Sequence, residues 1–89
     1  MDNYKFEKIC KNIVKNYLKQ KEIDINIEDI YTVWICKTLG NNKSLVSTNI
    51  EDGLYYELTY NGTKKEIYFD VYKKEKNEVI KEEEFNENV

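Results

Sequence analysis

The sequence predicts a single α+β domain in which one N-terminal amphipathic helix packs on a mainly antiparallel four-stranded meander sheet. Apolar residues recur at helical spacing between Phe6 and Leu18, whereas from Ile23 onward apolar and polar residues alternate with the period of two that is typical of strands. An Asn61-Gly62 pair between two alternating runs is the strongest short-range signal of a β-hairpin. With 89 residues, the chain is large enough for one modest core and too small for two.

The helix is predicted from about Asp2 to Gln20. Its apolar side chains follow steps of three and one residues, and lysines occupy the opposite side. Asp2 or Asn3 can cap it by accepting hydrogen bonds from the first free amides. We interpret the lysine side as a solvated face rather than as a membrane or phosphate contact. The apolar stripe consists of Phe6, Ile9, Cys10, Ile13, Val14, Tyr17 and Leu18.

The next two segments predict a connection and the first strand. Residues 21–29 suggest a short extended crossover, with an edge strand as an alternative. Residues 30–39 carry β-branched and aromatic side chains on both faces, which predicts a central strand. Because side chains alternate along a strand, Trp34 and Cys36 should share one face and Tyr31 should lie on the other.

Two turn clusters separate the remaining strands. Gly and Asn at residues 40–42, and Glu-Asp-Gly at residues 51–53, predict turns on either side of a strand over residues 43–50. The strongly charged end of the chain predicts a domain over residues 1–80 and a frayed acidic tail over residues 81–89.

The hairpin from Gly53 to Lys74 assigns residues to two sheet faces. A two-residue loop would place Glu57 opposite Glu66, and directly opposed like charges are unfavourable, so we favour a longer loop. That loop includes Thr63 and Lys64 and pairs Leu58 with Ile67 and Tyr56 with Phe69. The core face would hold Leu54, Tyr56, Leu58, Tyr60, Ile67, Phe69 and Val71. The other face would hold Tyr55, Glu57, Thr59, Glu66, Tyr68, Asp70 and Tyr72.

The composition argues against several classes of function. The net charge is −3, all 14 cationic side chains are lysines, and the chain contains no histidine. Without arginine there is no bidentate fork for phosphate or guanine, which argues against a nucleic-acid partner. Without histidine no side chain has an unperturbed pKa near neutrality, so we expect no enzyme, no catalytic residue, no cofactor and no metal site. Glu57, Glu66 and Asp70 are read as solvated carboxylates.

The two cysteines and the chain start indicate the compartment. Cys10 and Cys36 fall on predicted buried faces without metal-type spacing, so we expect both to be reduced and unreactive. The lysine-rich start lacks the apolar core of a signal peptide, and no run approaches the roughly 20 apolar residues of a membrane span. These features predict a cytoplasmic protein without a membrane partner. A sheet covered by one helix also leaves a face or an edge available, which predicts a homo-oligomer.

Aromatic side chains and two lysines form the candidate ligand site. Flat rings can stack on a nucleobase, and lysines beside the Asn61-Gly62 turn can meet a phosphate with help from backbone amides of the turn. The alternative is that Trp34 belongs to the core and the tyrosines pair across strands. The predicted ligand-binding residues are Trp34, Tyr55, Tyr68, Tyr72, Lys64 and Lys65.

Two segments carry a resemblance to known proteins. They are DIYTVWICKTLGNNKSL, from Asp29 to Leu45, and DGLYYELTYNG, from Asp52 to Gly62. They resemble a family of small proteins of unknown function encoded by phages and prophages of low-GC Gram-positive bacteria. The resemblance covers the sheet and part of the helix and implies no catalytic residues. It implies a small accessory protein in the cytoplasm of an infected bacterium, a setting rich in inhibitors of host immunity.

These observations predict a non-enzymatic counter-defence protein that binds and holds its target. A nucleotide-derived signalling molecule is the preferred target. One alternative is direct inhibition of a host defence protein or a CRISPR-type protein, because tyrosine-rich faces ringed with charge are typical of protein interfaces. A second alternative is a phage accessory protein without a role against the host.

Overall fold

The computed structural model describes residues 1–86, so the last three residues of the predicted tail lie outside the described part. One α-helix, α1 (Asn3–Gln20), packs on a four-stranded antiparallel sheet, which confirms the predicted α+β fold. The sheet is a meander, as predicted, with neighbouring strands in chain order. Within the described residues, no helix is both long and apolar enough to cross a membrane. The strands are β1 (Ile30–Thr38), β2 (Asn41–Thr48), β3 (Leu54–Asn61) and β4 (Glu66–Lys73).

Helix α1 begins and ends where its sequence predicts. The Asp2 carboxylate accepts a hydrogen bond from the Lys5 amide at 2.8 Å, which caps the first turn and lowers the pKa of Asp2. Four residues at intervals of four form its fully buried stripe, namely Phe6, Cys10, Val14 and Leu18. The helix therefore contributes one apolar face to the core and exposes its lysine side.

The crossover after α1 is not a strand, so the edge-strand alternative is wrong. The chain passes through an irregular segment and a short 3-10 turn, Ile27–Asp29, before it enters β1. Ile25 is buried and anchors this segment on the core. The Asn49 amide donates to the Asp29 carbonyl at 3.1 Å, which joins the crossover to the end of β2.

Strand β1 lies at an edge of the sheet, so the prediction that it is central is wrong. Among the described strands it pairs with β2 alone, and Tyr31, Val33 and Trp34 are 48%, 45% and 41% exposed. A β-bulge interrupts its register between Thr32 and Trp34, so that Thr32 pairs with Val46 and Trp34 with Leu45. The extra residue, Val33, reverses the alternation. Tyr31 and Trp34 consequently share a face, contrary to the alternation predicted from sequence.

The β3–β4 hairpin keeps the predicted faces but shifts the predicted pairs by two residues. Its loop comprises Gly62–Lys65 and so ends one residue later in the chain than the predicted loop, which ended at Lys64. The structure therefore separates Glu57 from Glu66, as expected, but brings Glu57 opposite Asp70. The predicted pairs are replaced by Leu58 with Phe69, Tyr56 with Val71 and Tyr60 with Ile67.

The core lies between α1 and one face of the sheet. The Tyr56 ring stacks on Phe69 with centroids 6.0 Å apart and meets the edge of Tyr17 at 5.8 Å. Within residues 1–86, the buried apolar side chains lie on one side of the sheet, because a helix packs on that face alone. The buried apolar residues are Phe6, Cys10, Val14, Leu18, Ile25, Ile30, Val46, Tyr56 and Leu58.

Beyond β4, residues 74–81 run without regular structure into a single helical turn, α2 (Glu82–Phe85). The Lys81 amide donates to the Glu84 carboxylate at 3.0 Å, which holds the start of this turn. Every residue from Lys74 to Asn86 is exposed. We call residues 74–86 the arm.

Candidate functional site

The sheet has a second face that no helix of residues 1–86 covers, which we call the open face. The strand register places its side chains in rows that run across all four strands. The first row holds Tyr31, Ser47, Tyr55 and Tyr72, in which Ser47 and Tyr55 lie one residue beyond the last β2–β3 pair, Val46 with Tyr56. The second row holds Trp34, Leu45, Glu57 and Asp70. The third row holds Cys36, Lys43, Thr59 and Tyr68.

All four predicted aromatic residues lie on the open face. Trp34, Tyr68 and Tyr72 are 41%, 44% and 51% exposed, and Tyr55 is partly buried. Trp34 faces this way because of the bulge, so it is not a core residue. The structure therefore brings the aromatic part of the predicted site onto one surface, although the rings spread over three rows.

The two predicted lysines lie at the opposite end of the hairpin from Tyr55 and Tyr72. Lys64 and Lys65 belong to the β3–β4 loop, and Tyr72 is seven residues past Lys65 along β4, roughly 23 Å at 3.3 Å per residue. Tyr68 lies closer to the loop. The structure does not bring these lysines together with the tyrosines of the first row.

The β3–β4 loop also offers no free amide to a phosphate. The Asn61 side chain accepts hydrogen bonds from the amides of Thr63 and Lys64 at 3.0 and 3.1 Å. The Lys65 amide donates to the Asn61 carbonyl at 2.8 Å, and the Gly62 amide donates to the Asn41 side chain at 3.0 Å. All four amides of the loop are thus used within the protein, which removes the phosphate contact expected there.

Carboxylates occupy the middle of the open face. Glu57 and Asp70 are directly paired across β3 and β4, a like-charge contact that polar neighbours relieve. The Tyr72 hydroxyl donates to Glu57 at 3.3 Å, and the Lys43 ammonium lies 3.8 Å from it. The negative charges of Glu57 and Asp70 raise the pKa of Tyr72. Among residues 1–86, no three acidic, cysteine or histidine side chains lie close enough to hold a metal.

A cleft of about 500 Å³ opens at the first-row end of the sheet. Tyr31 and Tyr55 line it on strands that flank β2, with the small, buried Ser47 between them. The Ser47 hydroxyl donates to the Leu54 carbonyl at 3.1 Å, and both residues line the cleft. Lys74 also lines the cleft, and its amide donates to the Gly53 carbonyl at 2.6 Å. We call this the first-row cleft.

Sequence reasoning found one of these cleft residues, Tyr55, and missed Tyr31, Ser47 and Lys74. The bulge that places Tyr31 and Trp34 on the same face has no signature in strict alternation. A small residue between two aromatic strands is a signal that was available, but it has meaning only when the strand order is known. The same applies to Lys74, which the hairpin register brings beside the β2–β3 connection.

The two cysteines lie on opposite sides of the sheet, Cys10 on α1 and Cys36 on the open face. Cys10 is buried against β2, where burial raises the pKa of its thiol to about 11 and the Ser44 hydroxyl donates to its sulfur at 3.2 Å. Cys36 is exposed and lines a second groove of about 280 Å³ with Leu39 and Lys43. The predicted burial is therefore confirmed for Cys10 and wrong for Cys36.

The chain belongs to a family of unknown function (DUF6275), whose model matches residues 7–82. The match spans most of α1, the whole sheet and the extended part of the arm. No curated protein and no solved structure matches the chain. Membership in a family of unknown function agrees with the resemblance found in the sequence, and the phage origin stays a prediction.

Proposed function

We propose that this protein is a non-enzymatic binding protein that holds a nucleotide-derived molecule in the first-row cleft. The observation that carries the proposal is the arrangement of Tyr31 and Tyr55 on either side of Ser47, in a cleft that Lys74 also lines. The volume of the cleft falls in the range of small-molecule sites, roughly 300–1,000 Å³.

The spacing of the two tyrosines suits a flat ring. Strands in a sheet lie about 4.8 Å apart, so the Cα atoms of Tyr31 and Tyr55, two strands apart, are separated by roughly 9.6 Å. A planar base between two rings needs about 7 Å, twice the distance of van der Waals contact, near 3.5 Å. Ser47, between them, has a short side chain whose hydroxyl is engaged with the Leu54 carbonyl. The cleft can therefore accept a nucleobase between two stacking surfaces.

The charged residues that line the cleft limit the number of phosphates. Lys74 can contact one phosphate, while Glu51 lines the same cleft and repels further negative charge. This balance favours a ligand with one or two phosphate charges near the protein over a nucleoside triphosphate. Cyclic dinucleotides and nucleoside monophosphates satisfy it.

The role proposed for this binding is counter-defence in an infected bacterium, by sequestration of a signalling molecule in the cytoplasm. Support for this role comes from the resemblance to phage-encoded proteins. Sequestration needs affinity without turnover, in keeping with a chain that contains no histidine. The alternative target is a host defence protein, for which the exposed Trp34 and Tyr68 of the open face would be the contacts.

Two measurements test the ligand proposal. The purified protein is heated, and the released small molecules are identified by absorbance and mass. Thermal unfolding is then followed with adenosine monophosphate and with cyclic dinucleotides as probes, because a ligand at one hundred times its Kd stabilises a protein by about 2.7 kcal/mol. Pull-down from bacterial lysate tests the protein alternative on the same preparation.

Matched variants locate the site. Tyr55→Leu removes one stacking surface and should weaken binding by roughly 5- to 150-fold, since base stacking is worth about 1–3 kcal/mol. Lys74→Gln should weaken binding of a phosphate-bearing probe, whereas Lys64→Gln, at the far loop, should not. Tyr4→Leu controls for loss of an exposed tyrosine, because Tyr4 lies on α1 and is 71% exposed.

Loss of affinity in Lys64→Gln but not in Lys74→Gln would return the site to the loop. Absence of any probe effect together with a retained lysate protein would replace the nucleotide with a protein target.

A further inference from the structure

Strand β4 lies at one edge of the sheet, and among the described strands it pairs with β3 alone. The Lys74 amide donates to the Gly53 carbonyl, so the backbone groups of Lys74 face β3. The N–H and C=O groups of successive residues face opposite sides of a strand. Counted back from Lys74, the backbone groups of Ile67, Phe69 and Val71 therefore face away from β3. This outer edge of β4 presents hydrogen-bond donors and acceptors to a further strand.

The two edges of the sheet differ in their protection. Natural sheets keep their edges from pairing by means of bulges, prolines or charged side chains that point toward the core. β1, at the other edge, carries a bulge between Thr32 and Trp34. β4 pairs in one unbroken register from Glu66 to Lys73, it contains no proline, and between these end residues its helix side carries only apolar residues. The unprotected edge is therefore that of β4.

The apolar side chains along this edge are incompletely covered by α1. Val71 is 38% exposed, and Ile67 and Phe69 are partly buried against the core. The Phe69 ring meets the Tyr17 ring edge-on, with centroids 5.4 Å apart. A further strand beside β4 would extend this core and remove more apolar surface from water.

The sequence of β4 is complementary to its own reverse on the helix side of the sheet. In an antiparallel pair of two β4 strands centred on Phe69, each Phe69 lies opposite its counterpart, and Ile67 lies opposite Val71. The backbone groups of all three residues face outward, so each opposed pair can exchange two hydrogen bonds. Apolar side chains then meet apolar side chains along the helix side of residues 67–71.

The same register is complementary on the open face. It sets Tyr68 opposite Asp70 and Glu66 opposite Tyr72, and two-fold symmetry repeats both pairs. Each carboxylate then meets a tyrosine of the other copy, whose hydroxyl is a hydrogen-bond donor. Within residues 66–72, this register opposes no two charges of one sign between the copies.

Other antiparallel registers are less favourable. A pair centred on Asp70 opposes the two Asp70 carboxylates, and a pair centred on Tyr68 opposes Glu66 with Asp70. A pair centred on Val71 is shorter, because only residues 69–73 of the strand remain opposed. The self-complementarity of the register centred on Phe69 is the observation that selects a second copy of this chain as the occupant of the edge.

We propose that two copies of this chain form a dimer through their β4 edges, paired antiparallel about Phe69 into one sheet of twice four strands. A two-fold axis normal to the sheet relates the copies, so both α1 helices lie on the same side and the two cores join at Phe69. The pairing occupies the β4 edge of each copy and leaves a bulged β1 edge at both ends, so it stops at two copies. It runs beside the open face and does not depend on a ligand in the first-row cleft.

A matched pair of valine substitutions tests the edge. Val71→Lys places a charge on the helix side of β4, opposite Ile67 of the second copy. It should raise the dimer dissociation constant at least about tenfold, because each dimer carries the change twice. Val33→Lys makes the same change on β1, where Val33 is 45% exposed, and should leave the dimer unchanged. Sedimentation of the full-length protein over a wide range of concentration measures the dissociation constants, and circular dichroism checks that each variant is folded.

A further variant tests the register without relying on the fold of Val71→Lys. In the register centred on Phe69, Lys73 comes opposite Lys65 of the second copy at either end of the pair. Lys73 is exposed, so Lys73→Glu should be tolerated. It replaces two like-charge contacts by two ion pairs and should lower the dissociation constant roughly 2- to 30-fold at low salt, the range for two exposed ion pairs. An unchanged or raised dissociation constant would overturn the register and, with it, the proposal.

Hydrogen exchange of individual amides identifies the occupant of the edge. In the dimer, the amides of Ile67, Phe69 and Val71 should exchange as slowly as the β4 amides that face β3. A dimer in which these three amides exchange freely would overturn the proposal, and so would a wild-type protein that stays monomeric at every concentration. A dimer that survives Val71→Lys, or that Val33→Lys weakens equally, would place the interface elsewhere. Protection of the three amides in a monomer only after bacterial lysate is added would assign the edge to a strand of another protein.

Discussion

Replacement of Tyr56 by phenylalanine should stabilise the protein, although Tyr56 lies in the centre of its core. The Tyr56 side chain is fully buried, and its hydroxyl has no hydrogen-bond partner among the described residues. An unsatisfied buried polar group costs about 1–3 kcal/mol. Tyr56→Phe removes that group and keeps the ring between Tyr17 and Phe69. We expect a gain of about 1 kcal/mol, which corresponds to roughly 4–8 °C in Tm for a domain of this size.

The gain should increase at high pH. Burial, and to a lesser degree the negative charge of Asp52, raises the pKa of Tyr56 from 10.0 to about 12 in the folded protein. The unfolded chain therefore releases this proton at lower pH than the folded chain. The contribution of Tyr56 to stability is complete below pH 10 and is lost as the pH rises from 10 to about 12. The phenylalanine variant lacks this loss, so its advantage over the wild-type protein should widen above pH 10.

Urea unfolding followed by circular dichroism measures both effects, and an unchanged m-value would show that the variant unfolds from the same compact state. Tyr68→Phe is the matched control, because its hydroxyl donates to Glu66 at 3.0 Å on the surface. That substitution should change stability by less than about 0.5 kcal/mol. A loss of about 1 kcal/mol or more in Tyr56→Phe would refute the reasoning, since it would mean that the hydroxyl makes a stabilising bond.

Three further predictions test the fold. Gly62→Ala should destabilise the protein by more than about 1 kcal/mol in urea unfolding, because the added Cβ would lie 2.1 Å from the Gly40 carbonyl oxygen. Gly40→Ala is the control and should be tolerated, because a Cβ at that position meets nothing within 4 Å. Equal effects of the two substitutions would exclude the close contact at Gly62. Thiol labelling of the native protein should modify Cys36 at least about tenfold faster than Cys10, and similar rates would contradict the burial of Cys10. Leu58→Ala should cost about 2–5 kcal/mol of unfolding free energy, and a loss below about 1 kcal/mol would show that the core is not closely packed there.

The local periodicities of the sequence were sufficient for the elements of the fold. The stripe from Phe6 to Leu18 predicted α1, and the alternation in residues 54–60 and 66–72 predicted the two faces of the hairpin. These predictions are confirmed because the period of an element depends on neighbouring residues of the same segment. The aromatic part of the candidate site followed from the same alternation, since Tyr55, Tyr68 and Tyr72 lie on the face opposite the core.

The tertiary structure alone decided how those elements combine into a surface. The bulge at Val33 exists only in the pairing of β1 with β2, and it turns Trp34 onto the face that holds Tyr31. The hairpin register depends on the Asn61 side chain, which accepts hydrogen bonds from amides of its own loop, and on the Asn41 side chain of β2, which accepts one from the Gly62 amide. The comparison of opposed charges on the two strands does not reveal these hydrogen bonds. The strand order places β1 at the edge of the sheet, where Cys36 is exposed. The sequence could not predict this position, because a run of apolar residues does not distinguish a strand between two neighbours from one with a single neighbour. The first-row cleft depends on all of these at once, since Tyr31, Ser47, Tyr55 and Lys74 come from four separate segments that only long-range pairing brings together.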